Sequence, residues 1–109
     1  MSSYYDAEGK RVIDLIRGLG CDFPAGNVFK YVFRAGRKPG VPVSADYDKA
    51  LHYLEFMHEH AVRIFGEDDL KAYCRAFKLD ADMSDALHEW VKSSGKNADP
   101  LAQMLKQGI

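Results

Sequence analysis

The longest amphipathic pattern in this chain lies between residues 45 and 65. Its apolar side chains recur at spacings of three and four residues, which places them along one face of an α-helix. They are Tyr47, Ala50, Leu51, Leu54, Met57, Ala61, Ile64 and Phe65. The pattern predicts a helix over 45–65, with Ser44 as its N-cap and Gly66 at its end.

Most of the remaining sequence also predicts helices. Helical spacing or a capping pattern occurs in five further segments, at 8–19, 24–34, 67–79, 83–94 and 99–109. Asp22 or Pro24 suits the opening of the second predicted helix, and Ser84 is the candidate N-cap of the fifth. Asp99 and Pro100 suit the N-cap and first position of the last helix, which we expect to fray or to dock on a partner chain. No alternation of apolar and polar residues is long enough to predict a strand. We therefore predict an all-α fold, a compact domain of about five to six helices with a central helix-loop-helix hairpin.

Length and composition indicate one globular domain spanning 1–109. The chain has 109 residues, of which 47% are hydrophobic and 28% charged. The N-terminus lacks the apolar stretch of a signal peptide, and no run approaches the roughly 20 apolar residues of a membrane span. We expect a cytoplasmic protein with no membrane partner. Cys21 and Cys74 lack the neighbours of a zinc site or a disulfide framework, and we expect two reduced thiols.

One stretch of the chain is strongly basic although the formal net charge is -1. Between residues 23 and 45 the only charged side chains are positive: Lys30, Arg34, Arg37 and Lys38. Duplex DNA binding usually requires a broad positive face, whereas here the rest of the chain is acidic. The charge pattern therefore argues against nucleic acid as the partner and favours a small anion.

Helical spacing groups several polar residues near this stretch. Asn27, Lys30 and Arg34 share one stripe, and Gly36 allows Arg37 and Lys38 to return toward it. Arginine forks and lysine ammonium groups together form a phosphate clamp. An exposed basic helix face with no ligand is the alternative on spacing alone.

The long helix supplies a candidate opposite wall. Asp46, Lys49 and Tyr53 repeat the same spacing there. In an antiparallel hairpin, Asp46 can pair with an arginine or hold a metal ion. Tyr31, Phe33 and Tyr53 are candidates for stacking on a base, although core positions are the alternative for the tyrosines. The P-loop motif is absent from the sequence, so bound phosphates would be held by side chains.

Three segments taken together resemble a known family. "VIDLI", "GNVFKYVFRAGRK" and "DYDKALHYLE" follow the order found in a small family of bacteriophage proteins whose domain was long labelled as of unknown function. The family includes a coliphage kinase that phosphorylates deoxynucleoside monophosphates without a P-loop. The matching residues are Val12, Ile13, Asp14, Gly26, Asn27, Lys30, Tyr31, Arg34, Ala35, Gly36, Lys38, Asp46, Lys49, Ala50, Tyr53 and Leu54.

The resemblance implies a phage nucleotide-binding protein similar to a nucleoside monophosphate kinase, with a nucleotide-binding core at 10–65. Lys30 and Arg34 are the expected catalytic cations, and Asp46 would position a catalytic Mg²⁺ ion. The residues expected to contact the nucleotide are Asn27, Lys30, Tyr31, Arg34, Arg37, Lys38, Lys49 and Tyr53.

The sequence departs from the family pattern in places. Tyr47 stands where leucine is usual, and His52 where an aromatic residue is frequent. Residues 66–109 match nothing in the pattern, and we expect them to set oligomeric state or specificity. Space for donor and acceptor nucleotides predicts a homo-oligomer. Two alternatives to a kinase stay open: a phage protein that sequesters a host nucleotide signal, and a small regulator that binds DNA or a host protein.

Overall fold

Six helices and one two-stranded hairpin make up residues 5–60 and 70–107, which the computed structural model describes. The elements are β1 (Asp6–Ala7), β2 (Lys10–Arg11), α1 (Val12–Leu19), α2 (Phe23–Arg34), α3 (Val43–His60), α4 (Leu70–Ala76), α5 (Ala81–Lys92) and α6 (Asp99–Gln107). α2 and α3 pack closely after a loop that includes Gly36, whose φ is 81°. The structure thus confirms the predicted helical fold and its central helix-loop-helix hairpin.

The predicted first helix is wrong at its start, because a β-hairpin replaces its first turn. Glu8 and Gly9 have φ values of 52° and 76°, and Asp6 pairs with Arg11 across them. Two successive left-handed residues form the tight turn that matches the twist of antiparallel strands, and glycine adopts it without strain. The helix therefore begins at Val12.

Two helix starts also differ from the predicted caps. α3 begins at Val43, so Ser44 lies inside its first turn. In α5 the N-cap is Asp80, whose side chain accepts a hydrogen bond from the backbone N–H of Asp82, and Ser84 lies inside the helix. An aspartate four residues earlier thus serves the function predicted for Ser84.

Two further helix boundaries bear on the sequence predictions. The predicted start of α2 is confirmed, since Asp22 accepts from the backbone N–H of Ala25 at 3.3 Å. The predicted end of α3 at Phe65 and Gly66 lies outside the described residues.

The core joins the N-terminal and C-terminal helices. Phe29 of α2 lies 5.4 Å from the Trp90 ring of α5, and Phe33 lies 5.1 Å from Phe77, measured between ring centroids. All four side chains are buried. Aromatic pairs at these separations add to the stability gained from burial alone. One hydrophobic cluster therefore includes side chains from both halves of the chain.

The last helix is part of this core. α6 packs on α3 and α5, and its Leu101 and Leu105 side chains are buried. The apolar face of α6 is therefore covered within the chain, which corrects the prediction that this helix docks on a partner chain. No helix in the described ranges is both long and apolar enough to cross a membrane.

Truncating Leu105 tests whether α6 is integral to the fold. We expect Leu105→Ala to lower the free energy of unfolding by about 2–5 kcal/mol, because a buried side chain is lost and a cavity remains. The exposed neighbour Gln103, changed to alanine, is the matched control. Urea unfolding of the two variants measures the difference, and equal stabilities would show that α6 does not contribute to the core.

Candidate functional site

A buried ion pair joins the end of α2 to the start of α3. The Arg34 guanidinium donates to Asp46 Oδ1 through Nε at 3.1 Å and also through Nη2. Only 7% of Arg34 and 0% of Asp46 is exposed to solvent. Nη1 of Arg34 donates to the Tyr5 hydroxyl at 3.1 Å, so the N-terminal segment is held by the same group. The pair therefore links the two helices and the residue that precedes β1.

Burial of this pair determines what its members can do. The hydrogen bonds from Arg34 to Asp46 raise the pKa of Arg34 above its ordinary value, so the guanidinium stays charged. The other carboxylate oxygen, Asp46 Oδ2, is buried with no hydrogen-bond partner in the described structure. Both side chains thus pair with each other in the protein interior. The sequence left two roles open for Asp46, pairing with an arginine or holding a metal ion, and the structure shows the first.

A magnesium ion held by Asp46 does not fit this geometry. Mg²⁺ keeps several water ligands when proteins bind it, and Asp46 has no solvent-exposed surface. Its Oδ1 atom already accepts from Arg34. Within residues 5–60 and 70–107, no group of three or more His, Cys, Asp or Glu side chains is arranged to hold a metal.

Three cations surround the ring of Tyr31. Lys30 Nζ lies 5.2 Å from the ring centroid, the Arg34 guanidinium carbon 5.0 Å, and Lys49 Nζ 5.4 Å. The opposite helix also supplies Tyr53, whose ring stacks on Tyr31 at 6.2 Å and 12°. We call these five residues the Tyr31 cluster. The spacing of three and four residues on α2 and α3 brings them together when the helices pack antiparallel.

The Tyr31 cluster carries uncompensated positive charge. Asp46 neutralises Arg34, whereas Lys30 and Lys49 have no carboxylate partner among the described residues. Lys30 is half-buried and Lys49 is exposed, so both ammonium groups can reach a ligand. The aromatic face attracts each cation only modestly. The cluster is therefore suited to bind an anion such as a phosphate.

The four-cation clamp predicted from the sequence is assembled only in part. Lys30 and Arg34 share the Tyr31 ring, but the Arg37 guanidinium lies 4.9 Å from the Phe77 ring and donates to the Asp6 carbonyl at 3.4 Å. Lys38 is half-buried in the α2–α3 loop. Spacing showed which residues follow the helix end, but it did not show which way the loop turns them.

The residues predicted to stack on a base have different surroundings in the structure. Phe33 is 1% exposed and belongs to the core, so it cannot contact a base. Tyr31 and Tyr53 stack on each other. Asn27, one turn before Lys30, donates from its side-chain amide to the Phe23 carbonyl at 2.8 Å.

A pocket of about 420 Å³ lies beside the Tyr31 cluster, between α1 and the first half of α2. The side chains that line it are mostly apolar: Tyr5, Val12, Ile13, Ile16, Cys21, Asp22, Phe23, Gly26, Asn27 and Lys30. Lys30 therefore belongs to both the pocket and the cluster. Two of the apolar residues, Ile13 and Phe23, are 47% and 75% exposed. The pocket was not predicted from the sequence.

Close approach of α1 to α2 shapes this pocket. A Cβ atom added at Gly26 would lie 3.2 Å from Ile16 Cγ2, which is tighter than an ordinary contact. The absence of a side chain at Gly26 thus lets Ile16 lie against α2. Gly26 lies in the first turn of α2, and a glycine within a helical pattern was the signal in the sequence that another element packs there.

Cys21 lies in the wall of the pocket as a free thiol. Burial, with a smaller contribution from Asp22, raises its pKa to about 12, so the thiol is neutral at neutral pH. Cys74 is also free and is buried in the core. The expectation of two free thiols is confirmed, and Cys21 adds no charge to the pocket.

The fold and site together define a small helical domain with a cluster of cations around Tyr31 beside an apolar pocket. Residues 1–55 match the model of a family described as a protein of unknown function, DUF3310. This match covers half of the chain, and the chain belongs to that family. The matched segment includes α1, α2 and the first part of α3, which carry the Tyr31 cluster and the pocket. No curated protein and no solved structure matches the chain.

Neutralising the buried carboxylate tests the structural role of the ion pair. We expect Asp46→Asn to lower the free energy of unfolding by about 3–5 kcal/mol, because it leaves the buried Arg34 charge without its partner. The matched control is Asp48→Asn, two residues along the same helix at an exposed position. Thermal or urea unfolding compares them. Equal stability of the two variants would contradict a structural role for Asp46.

Proposed function

We propose that this protein binds a nucleotide, with its phosphate group held by the Tyr31 cluster. The observation that carries the proposal is the position of Lys30 and Lys49. They come from two helices, lie beside the same ring, and have no carboxylate partner in the described structure. Two ammonium groups in this arrangement neutralise a phosphate without a P-loop.

Phosphoryl transfer is the reaction we propose first, on the resemblance to phage nucleoside monophosphate kinases. The reaction depends mainly on positioning and on neutralising the charge of the transferred group, which Lys30 and Lys49 would supply. Arg34 would act indirectly, since its guanidinium is buried and engaged with Asp46 and Tyr5. Its role in the proposal is to position the turn of α2 that carries Lys30.

Sequestration of a host nucleotide signal is the second proposal, and one observation favours it. Asp46 is buried and paired with Arg34, so the carboxylate expected to hold a catalytic metal is not exposed to solvent. A protein that only binds its nucleotide needs the lysines and requires no metal carboxylate. Both the kinase proposal and the sequestration proposal include a phage origin for this protein.

Removing one lysine at a time tests the nucleotide proposal. We expect deoxynucleoside monophosphates to raise the Tm of the wild-type protein by mass action. Lys30→Ala and Lys49→Ala should each weaken binding by about tenfold or more, because each removes a charge-assisted contact. Both positions are at least partly exposed, so these variants should fold. Lys96→Ala, in the exposed turn after α5, is the matched control and should bind like wild type.

The ligand panel separates the proposed functions. It should contain nucleoside mono-, di- and triphosphates and cyclic dinucleotides, each with and without Mg²⁺. Binding of a monophosphate and a triphosphate, followed by transfer of the terminal phosphate to the monophosphate, supports a kinase. Binding of one signalling nucleotide with no transfer supports sequestration. A protein whose Tm responds to none of them would contradict nucleotide binding and leave DNA or a host protein as the partner.

The kinase proposal also makes a prediction about the oligomeric state. A kinase must hold donor and acceptor nucleotides together, and a subunit interface is the simplest place for a second site in a small domain. We therefore propose a homo-oligomer for the catalytic version. Light scattering during size-exclusion chromatography, with and without nucleotide, measures the mass directly.

A further inference from the structure

We propose that the pocket between α1 and α2 is the subsite for the base of the bound nucleotide. This inference rests on the nucleotide-binding function proposed above and adds the location of the uncharged part of the ligand.

The aromatic rings of the Tyr31 cluster are already engaged with other groups. Tyr31 stacks on Tyr53 at 6.2 Å and has Lys30, Arg34 and Lys49 within 5.4 Å of its centroid. A base inserted between the two tyrosines would have to separate them. The cluster therefore offers charge for a phosphate, and a base needs a different surface.

The pocket has the size and chemistry that a planar, uncharged group requires. Its volume of about 420 Å³ falls within the range of about 300–1,000 Å³ typical of small-molecule sites. Val12, Ile13, Ile16 and Phe23 supply apolar surface. Phe23 is 75% exposed at the start of α2, so its ring is accessible to a group that enters the pocket.

Polar groups in the pocket can orient a base. The Asn27 amide N–H₂ faces the Phe23 carbonyl, an acceptor, so the Asn27 carbonyl oxygen faces away from it. That oxygen can accept a hydrogen bond from a ring or exocyclic N–H. The neutral thiol of Cys21 leaves Asp22 and Lys30 as the charged side chains in the lining. Asp22 accepts from the Ala25 backbone N–H through Oδ1 and caps α2.

Lys30 connects the two parts of the proposed site. It lines the pocket, and its Nζ atom lies 5.9 Å from the Tyr5 ring and 5.2 Å from the Tyr31 ring. Tyr5 also lines the pocket. A nucleotide with its base in the pocket would therefore place its phosphate toward Lys30 and the other cations of the Tyr31 cluster.

Filling the pocket entrance tests this subsite. Ile13 is 47% exposed, so Ile13→Trp should narrow the pocket with little effect on the core, and Ile13→Val is the conservative control. Calorimetry compares deoxynucleoside monophosphates with deoxyribose phosphate, which has no base. We expect wild type and Ile13→Val to prefer the nucleotide by about tenfold or more. Ile13→Trp should lose that preference and bind both compounds as wild type binds deoxyribose phosphate.

Alkylation of Cys21 provides a second readout. Cys21 lines the pocket, whereas Cys74 is buried elsewhere in the core and serves as an internal control. We expect a saturating nucleotide to slow N-ethylmaleimide labelling of Cys21, measured by mass spectrometry at mildly alkaline pH. Deoxyribose phosphate should leave the rate unchanged. Lys49→Ala should need more nucleotide for the same protection but reach it in full.

The outcomes distinguish this inference from the function on which it rests. If nucleotides raise the Tm but bind Ile13→Trp as tightly as wild type and leave Cys21 labelling unchanged, the base lies elsewhere and the subsite is wrong. If no nucleotide binds at all, the proposed function and the subsite are both wrong. Preference for the nucleotide that disappears in Ile13→Trp, with protection of Cys21, supports both.

Discussion

The buried ion pair between Arg34 and Asp46 is the interaction on which the arrangement of this protein depends. It joins the last turn of α2 to the first turn of α3, on either side of the loop that reverses the chain. Removing one member of a buried pair costs far more than the net gain from forming it, because the remaining charge is left in an apolar environment. The pair therefore holds the two helices in one register, and it holds Tyr5 against them.

This register determines which cations remain available for a ligand. With Arg34 fixed on Asp46, the turns of α2 and α3 on the side away from the loop bring Lys30 and Lys49 to the same tyrosine. The four positive side chains of the basic stretch thus have different surroundings. Arg34 is buried in the interior and Arg37 lies against Phe77. Lys38 lies in the loop, and Lys30 lines the pocket. A count of charges in the sequence therefore does not show which of them lie beside the Tyr31 ring.

How much of the structure could be predicted depends on how far apart in the sequence the interacting residues lie. Helical periodicity depends on residues three and four apart, so α2, α3 and the residues that share their faces could be predicted. The same periodicity places Arg34, Lys30 and Asn27 on one stripe, yet it carries no information on depth, and Arg34 is buried where a ligand-facing position was expected. The hairpin at Asp6–Arg11 escaped detection because strands of two residues show no alternation.

The pocket could not be predicted because it forms only where separate elements meet. Its walls come from Tyr5, α1, the α1–α2 connection and α2, and nothing in the local sequence sets their distance. Gly26 was the one local indication, since a glycine within a helix permits another element to approach closely. The residues that share one helix face could therefore be predicted from this sequence, whereas the contacts between elements that form the pocket could not.

An amide-resolved NMR titration of the wild-type protein with a deoxynucleoside monophosphate tests the central claim most directly. The claim is that the ion pair positions an anion-binding cluster beside a base-sized pocket. It predicts shift changes that saturate together in α1, in residues 21–31 and around Lys49, with α5 and α6 unaffected. Changes confined to α6, or no saturable changes at any nucleotide concentration, would contradict the account.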